Sequence, residues 1–423
     1  MIQGKLRQSP DVAQTWFLSR RPVFIEGVNL VPQENQFLKG NPLIVARGQA
    51  QAFFLHDENK RVWILKKFLP GRNPNAQYIK AVQGLIPQHP GFESGYQRKV
   101  LSQASVAKST LPSVDFPSWI ENTILMPRVK GGDWANIADK VRSGSIHLTP
   151  EQRLMMCRNL SEKISTLEKN NLSHRDLSST NIFIDTNTWE VHLIDWDSIY
   201  HPNLNMPSST TIGTNGYVAS FVKVDGQENA QVTWARGADR FSMAILNIEF
   251  LSMAQNSPLT GDGGLFDQDE IYRSGGSGIN AIATRLKQDF PSVCGLFNQV
   301  LRAKNFDDCP HPNEWVALGV GVFAPSLKDV YDPQADFMRY IQEIQKPRIE
   351  VPAPSLNKVE KPIISVPPLV DAATSEGTPA PPLGNVERVD LNDLIPHAPA
   401  PPPAAPSLSD FEDPFAVKDQ KQN

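Results

Sequence analysis

The stretch LSHRDLSSTNIFIDTNTWEVHLIDWDS, residues 172–198, gathers oxygen-bearing side chains around a short strand–turn–strand pattern. A loop carries His174, Arg175 and Asp176, and then Asn181. NIFID and EVHLID read as two strands joined by a TNT turn, and the second strand delivers Asp195. Two carboxylates and a carboxamide brought together in this way suit phosphoryl transfer. One carboxylate orients an acceptor hydroxyl and receives its proton, while oxygen ligands hold Mg²⁺ against phosphates. Asp176 fits the first task, and Asn181 and Asp195 fit the second. The competing reading is a solvated loop whose acids have no common purpose.

These residues need a scaffold, and the flanking sequence supplies one. Residues 43–69 read as a strand pair, LIVARGQAQAFFLHD and RVWILKKFL, separated by a polar ENKR turn. Residues 92–107 are expected to be helical, and WIENTILMPRV reads as a strand ending at Pro127. After Gly131 and Gly132 the pattern becomes helical. At 149–171 Thr149 is a plausible N-cap, Pro150 suits the first helical position, and Glu151 and Gln152 follow in the first turn. A helix is also expected within 333–346, where Phe337, Ile341 and Ile344 share a face. The 36 prolines crowd after residue 347, where aromatics are sparse, so 347–423 is expected to be disordered.

Composition removes some classes of function. A net charge of −4 gives no global basic field, so nucleic acid is not an expected partner. The three cysteines, Cys157, Cys294 and Cys309, have neither metal spacing nor a pairing scheme, which suits a reducing compartment. The first residues lack the apolar core of a signal peptide, and no apolar run is long enough to span a bilayer. A cytoplasmic protein with no membrane partner is the expectation.

HRDLSSTN resembles the catalytic loop of the protein kinase superfamily, and IDWD resembles its metal-binding DFG region. Residues 212–219, IGTNGYVA, resemble the end of an activation segment, and 237–244, GADRFSMA, the start of the helix that anchors the large lobe. NFDDCPHPNEWVALG resembles the segment leading into the last helix, and the whole has the flavour of divergent bacterial Ser/Thr kinases. The resemblance covers about residues 41–322. It implies an α+β fold of two lobes: a small antiparallel sheet lobe at 41–126 after an N-terminal extension at 1–40, and a helical lobe at 127–325. A C-terminal helix at 326–346 and the proline-rich tail complete the expected organisation.

The cofactors implied are ATP and Mg²⁺, the partner a protein substrate, and the reaction Ser/Thr phosphorylation with autophosphorylation. Asp176 becomes the base, Asn181 and Asp195 the metal ligands, and Lys66 of WILKK the phosphate-binding lysine, with Lys67 as the fallback. Gly48 is the remnant of a glycine-rich phosphate loop, and Met126, Pro127, Arg128 and Val129 meet adenine. Asp239 holds the backbone of the catalytic loop, and Thr214 bonds near the base. Arg175 is expected to clasp a phosphate placed on the segment containing Thr210 and Thr211.

Several positions depart from the family pattern. The glutamate partner of the lysine falls at Gln97 or Glu93. Ser178 replaces the loop lysine of Ser/Thr kinases, Thr180 the arginine of many tyrosine kinases, and Asp197 the DFG glycine. Ala219, Ser220 and Phe221 stand where APE is expected, and Cys309 where its arginine partner is expected. These departures keep open a nucleotide-binding pseudokinase scaffold and a small-molecule kinase of the aminoglycoside or choline type. The tail could also dock to a proline-binding partner.

Overall fold

The computed structural model describes residues 12–47, 49–71, 75–207, 211–224, 227–257 and 264–318. Helix α1 (Val12–Ser19) leads into a hairpin of β1 (Val23–Ile25) and β2 (Val28–Pro32). Strands β3 (Ile44–Arg47), β4 (Ala50–His56) and β5 (Val62–Phe68) follow. The expected strand pair over 43–69 is therefore three strands. The chain reverses within its first half, and β3 pairs with β4 from Ile44↔Phe53 to Arg47↔Ala50. β4 pairs with β5 along its whole length, with Ala52 opposite Lys66.

The hairpin joins the same sheet through Val31↔His56. Residues 12–40, expected as an extension, instead complete the core of the sheet lobe: Trp16, Val23, Ile25 and Leu30 are all buried there.

Helix α2 (Ala76–Val82) and the single turn α3 (Glu93–Tyr96) cross to the other lobe before β6 (Lys99–Val100) returns to the sheet. The continuous helix expected over 92–107 does not form. Gly95 lies so close to Trp196 that a Cβ would stand 2.8 Å from its ring, and a 3₁₀ turn at Gln103–Ser105 is closed by a capping box from Ser102. Helix α4 (Phe116–Ile120) covers the outer face, where Trp16 meets Phe116 edge-on at 5.1 Å. Strand β7 (Ile124–Pro127) then runs antiparallel to β5, placing Met126 opposite Ile64.

The connection into the helical lobe passes over β9 so closely that a Cβ on Gly131 (φ +82°) would stand 2.0 Å from the Ile184 carbonyl oxygen. Only glycine fits there at tolerable strain. Strand β8 (Gly132–Asp133) pairs with β9 (Ile182–Asp185), which pairs with β10 (Glu190–Leu193) in the expected hairpin.

Around this small sheet pack α5 (Trp134–Arg142), α6 (Pro150–Lys169), α7 (Ala230–Thr233) and α8 (Asp239–Ser252). Helices α9 (Gln268–Arg273), α10 (Ser277–Asp289), α11 (Cys294–Arg302) and α12 (Pro312–Leu318) complete the described lobe. α6 starts as its sequence dictates: Thr149 and Gln152 form a reciprocal capping box, with Pro150 in the first turn. α8 is apolar and buried nearly all round, as a central helix must be.

Where a buried ion pair of the family pattern is missing, Phe221 stands edge-on to Phe306 at 4.9 Å, and Cys309 is buried. Two absent charges are thus replaced by apolar packing, which leaves no uncompensated charge behind. The expected helix at 326–346 and the proline-rich tail at 347–423 lie outside the described residues.

One carboxyl in α8 couples stability to pH. Glu249 is fully buried and accepts from Trp134 Nε1, Tyr217 Oη and the Leu265 amide. Burial outweighs these donors and pushes its pKa up to about 7. The folded state therefore holds a proton that the unfolded chain releases near pH 4.5, so this stabilisation is present in acid and is lost as pH rises to about 7. Denaturant unfolding at several pH values should show wild type losing stability relative to Glu249→Gln across that window, with a constant difference above it.

Candidate active site

The catalytic loop is held from below by α8. The Asp239 carboxylate accepts the His174 amide at 2.6 Å and the Arg175 amide at 2.7 Å. Burial raises its pKa to about 6 despite those two bonds. Arg175 is turned to φ 67°, and Asp195 at the end of the hairpin to φ 64°. Left-handed backbone at a non-glycine residue is costly and persists only where its surroundings enforce it.

The side chain of Asp176 is aimed by two neighbours. Thr214 Oγ1 donates to Oδ1 at 3.2 Å, and Asn181 Nδ2 donates to Oδ2 at 3.1 Å and to the Asp176 carbonyl at 2.8 Å. Because the Asn181 amide nitrogen is committed to Asp176, its oxygen is the atom left to face a cation. Burial, with the nearby Asp195 charge, raises Asp176 to about 6 against the opposing pull of Thr214, Lys66 and Asn181.

Strand alternation decides between the two lysines of WILKK. Lys66 shares the cleft face with Ile64 and Phe68, while Trp63 and Leu65 enter the sheet-lobe core. Lys67 points away, donating to the Trp119 carbonyl and lying over its ring. Lys66 Nζ is 2.6 Å from Asp195 Oδ1 and 2.6 Å from Asp197 Oδ2.

Asp197 Oδ1 also receives Arg98 Nη2 at 2.5 Å, and Arg98 Nη1 donates to the Trp196 carbonyl at 2.9 Å. The four charges form a chain, Arg98–Asp197–Lys66–Asp195. Their pKa values separate accordingly. Burial disfavours both carboxylates, but two cations hold Asp197 far below the ordinary range. Asp195 shares one cation with a neighbouring anion and is pushed up instead. Both carboxylates line the cavity, and the under-compensated Asp195 is the more exposed, at 37% of its side chain against 10% for Asp197.

Neither expected glutamate position reaches Lys66. Gln97 accepts from Arg61 Nη2 at 2.8 Å, and Glu93 faces His192 Nδ1 at 3.3 Å. The reason is the missing helix. With 92–107 broken after one turn, Gln97 follows the turn out toward β5's exposed end, and Glu93 packs on β10. Asp197, Arg98 and Trp196 were not singled out as site residues by sequence reasoning. The available signal was the second acid of IDWD beside a lysine lacking a clear partner.

The cleft is a cavity of about 390 Å³. Lys66, Asp176, Asn181, Asp195 and Thr214 line it together with Met126, Pro127, Arg128 and Val129 of the connection between lobes. Gly48 and Thr210 lie outside the described residues. Among the described residues, no group of three or more His, Cys, Asp or Glu could hold a metal ion. The donors present are one carboxylate and one amide oxygen. They fit Mg²⁺, which is commonly held by one or two side chains together with substrate phosphates and water.

Arg175, expected to clasp a phosphate, has its guanidinium engaged by the protein itself. Its guanidinium donates to the carbonyls of Thr233 (2.8 Å), Ser198 (3.0 Å) and Thr211 (3.1 Å) and to Thr233 Oγ1 (2.8 Å). It also stacks over Trp234. The bond to the Thr211 carbonyl ties the start of the segment 211–222 to Arg175. Farther along, Gln268 at the start of α9 accepts the Gly216 amide at 2.7 Å and donates to the Val218 carbonyl at 2.7 Å.

Residues 118–293 match the family model of the protein kinase domain. The matched span holds the lobe connection, the catalytic loop, Asp195 and α8. Lys66 and most of the sheet lobe precede it, and there the fold carries the likeness. This protein kinase domain match supports membership of the protein kinase superfamily and, in general terms, kinase-type phosphoryl transfer. No curated protein matches the chain.

Since Arg175 is satisfied by backbone oxygens, exhaustive phosphatase treatment should leave the transfer rate within about twofold of the untreated protein. Loss of activity after such treatment, reversed by rephosphorylation at 208–214, would contradict this arrangement.

Proposed function

We propose that the chain is an ATP- and Mg²⁺-dependent protein kinase that transfers the γ-phosphoryl group to Ser/Thr hydroxyls, its own included. The observation that carries this reading is Asp176, oriented by Asn181 and Thr214 and lining one cavity with Lys66 and Asp195.

In this reading adenine lies against Met126–Val129, where backbone groups of Pro127, Arg128 and Val129 are at hand. Lys66 meets the α/β-phosphates. Asp195 and the Asn181 amide oxygen would hold Mg²⁺, which would supply positive charge against the phosphates. Asp176 accepts a hydrogen bond from the acceptor hydroxyl and takes its proton as the new O–P bond forms and the β–γ bridging bond breaks, with ADP as the leaving group. Most of the acceleration comes from positioning and charge, with no covalent intermediate on the protein.

A protein acceptor is supported by the segment 211–222, which Arg175 and Gln268 fasten beside the base. Ser178 and Thr180 carry neither the lysine of Ser/Thr kinases nor the arginine of many tyrosine kinases, so Ser/Thr acceptors rest on the family resemblance and are what phosphosite mapping tests. Ser178 is buried and bonds to Thr180 Oγ1 at 3.2 Å, so the usual loop lysine has no stand-in at that position and a modest turnover is expected. The net charge of −4 favours no nucleic acid, and no helix among the described residues is long and apolar enough to cross a membrane. A cytoplasmic location is part of the proposal.

The test is incubation with Mg·ATP and mapping of phosphosites by mass spectrometry, beside Asp176→Asn. Wild type should acquire phosphate on Ser or Thr. The variant should bind ATP normally and transfer it at least about a hundredfold more slowly. A fully active Asp176→Asn would refute the assignment of the base.

A further inference from the structure

The charged chain that runs through Lys66 contains two residues with no place in the mechanism above, Arg98 and Asp197. From its geometry we infer that Asp197, fixed by Arg98, is the counter-charge that positions Lys66 for the nucleotide phosphates. The inference rests on the kinase reading of the cleft.

Three observations support it. First, geometry: Lys66 Nζ is as close to Asp197 Oδ2 as to Asp195 Oδ1, 2.6 Å in both cases. Second, supply: α2 has no acidic residue, and the only one in α3, Glu93, is occupied with His192. The carboxylates that reach Lys66 both come from the loop after β10. Third, anchoring: Asp197 cannot drift with the lysine, because Arg98 grips its other oxygen at 2.5 Å.

The intervening Trp196 is buried, donating from Nε1 to Ser94 Oγ at 3.0 Å and standing edge-on to Phe92 and His174. The loop is therefore nailed to the sheet-lobe side by Arg98 and to the core by Trp196.

Charge explains why two acids are needed. If Lys66 had only Asp195, the lysine and Mg²⁺ would compete for one carboxylate, and the lysine would be drawn away from the phosphates. Asp197 gives Lys66 a permanent partner and leaves Asp195 for the cation. A glycine at 197, the residue that the family pattern supplies, would remove that partner and strand the Arg98 guanidinium, which is 3% exposed.

Coupling to Arg98 sets the variants. Asp197→Asn removes the counter-charge. Asp197→Asn with Arg98→Met removes both buried partners together, so the fold is not burdened by an unpaired cation. Asp197→Glu restores the carboxylate one methylene farther out. Two readouts are taken on each protein after thermal melting verifies the fold: calorimetric affinity for Mg·ADP, and kcat with KM for ATP.

Both neutral variants should bind Mg·ADP about tenfold more weakly and lose at least about tenfold in kcat, while Asp197→Glu recovers part of both. Wild-type affinity and kcat in the folded double variant would overturn the inference. Weakened binding in the variants of a wild type that transfers no phosphate would uphold the positioning role and sink the kinase reading instead.

Discussion

The arrangement depends on one buried cation shared between two carboxylates. A lysine with 14% of its side chain exposed is costly to charge, because burial removes its hydration. Asp195 and Asp197 reverse that preference and keep Lys66 protonated far up the pH scale. Each acid is in turn destabilised by the other, so neither could be ionised there without a cation. Arg98 supplies a second one to Asp197 alone. The result is asymmetric: one acid is saturated and the other is short of positive charge at the mouth of the cleft. Removing Asp197 or Arg98 alone would leave a buried charge uncompensated, at a cost of about 3–5 kcal/mol, whereas the more exposed Asp195 is partly screened by solvent.

The rest of the fold serves this cluster. Strand alternation in β5 sends Lys66 into the cleft and Lys67 out of it. Pairing of β9 with β10 ends in Asp195 held in a left-handed turn, a conformation enforced by the packed Trp196 next to it. The buried carboxylate of Asp239 pins the catalytic loop from α8, and Gly131 lets the lobe connection lie on β9. The segment after the hairpin is secured by Arg175 and Gln268, which keeps Thr214 in reach of Asp176.

Much of this was legible in the chain because the signals were local. HRDLSSTN, the NIFID–EVHLID hairpin and the capping box at Thr149 each specify their structure through neighbours in sequence, and each is found where the pattern put it. What could not be read depended on distant contacts. Gly95 of α3 packs against Trp196, a hundred residues away in the chain, and the chain then leaves the helix for β6. The identity of the lysine's partner followed from that break. The incorporation of 12–40 into the sheet rests on pairing between β2 and β4, which short strands with few apolar positions do not announce. The partners of Arg175, the carbonyls of Thr233, Ser198 and Thr211 with the Thr233 hydroxyl, lie up to 58 positions away, and no sequence motif displays them.

The most direct test of the account is a crystal structure of the full chain with Mg²⁺ and a non-hydrolysable ATP analogue. The account predicts the analogue in the cleft beside Met126–Val129, Mg²⁺ on Asp195 and Asn181, and Lys66 bridging Asp197 to the phosphates while Arg98 keeps its grip on Asp197. An analogue bound elsewhere, or Lys66 on the phosphates with Asp197 released to solvent, would contradict it.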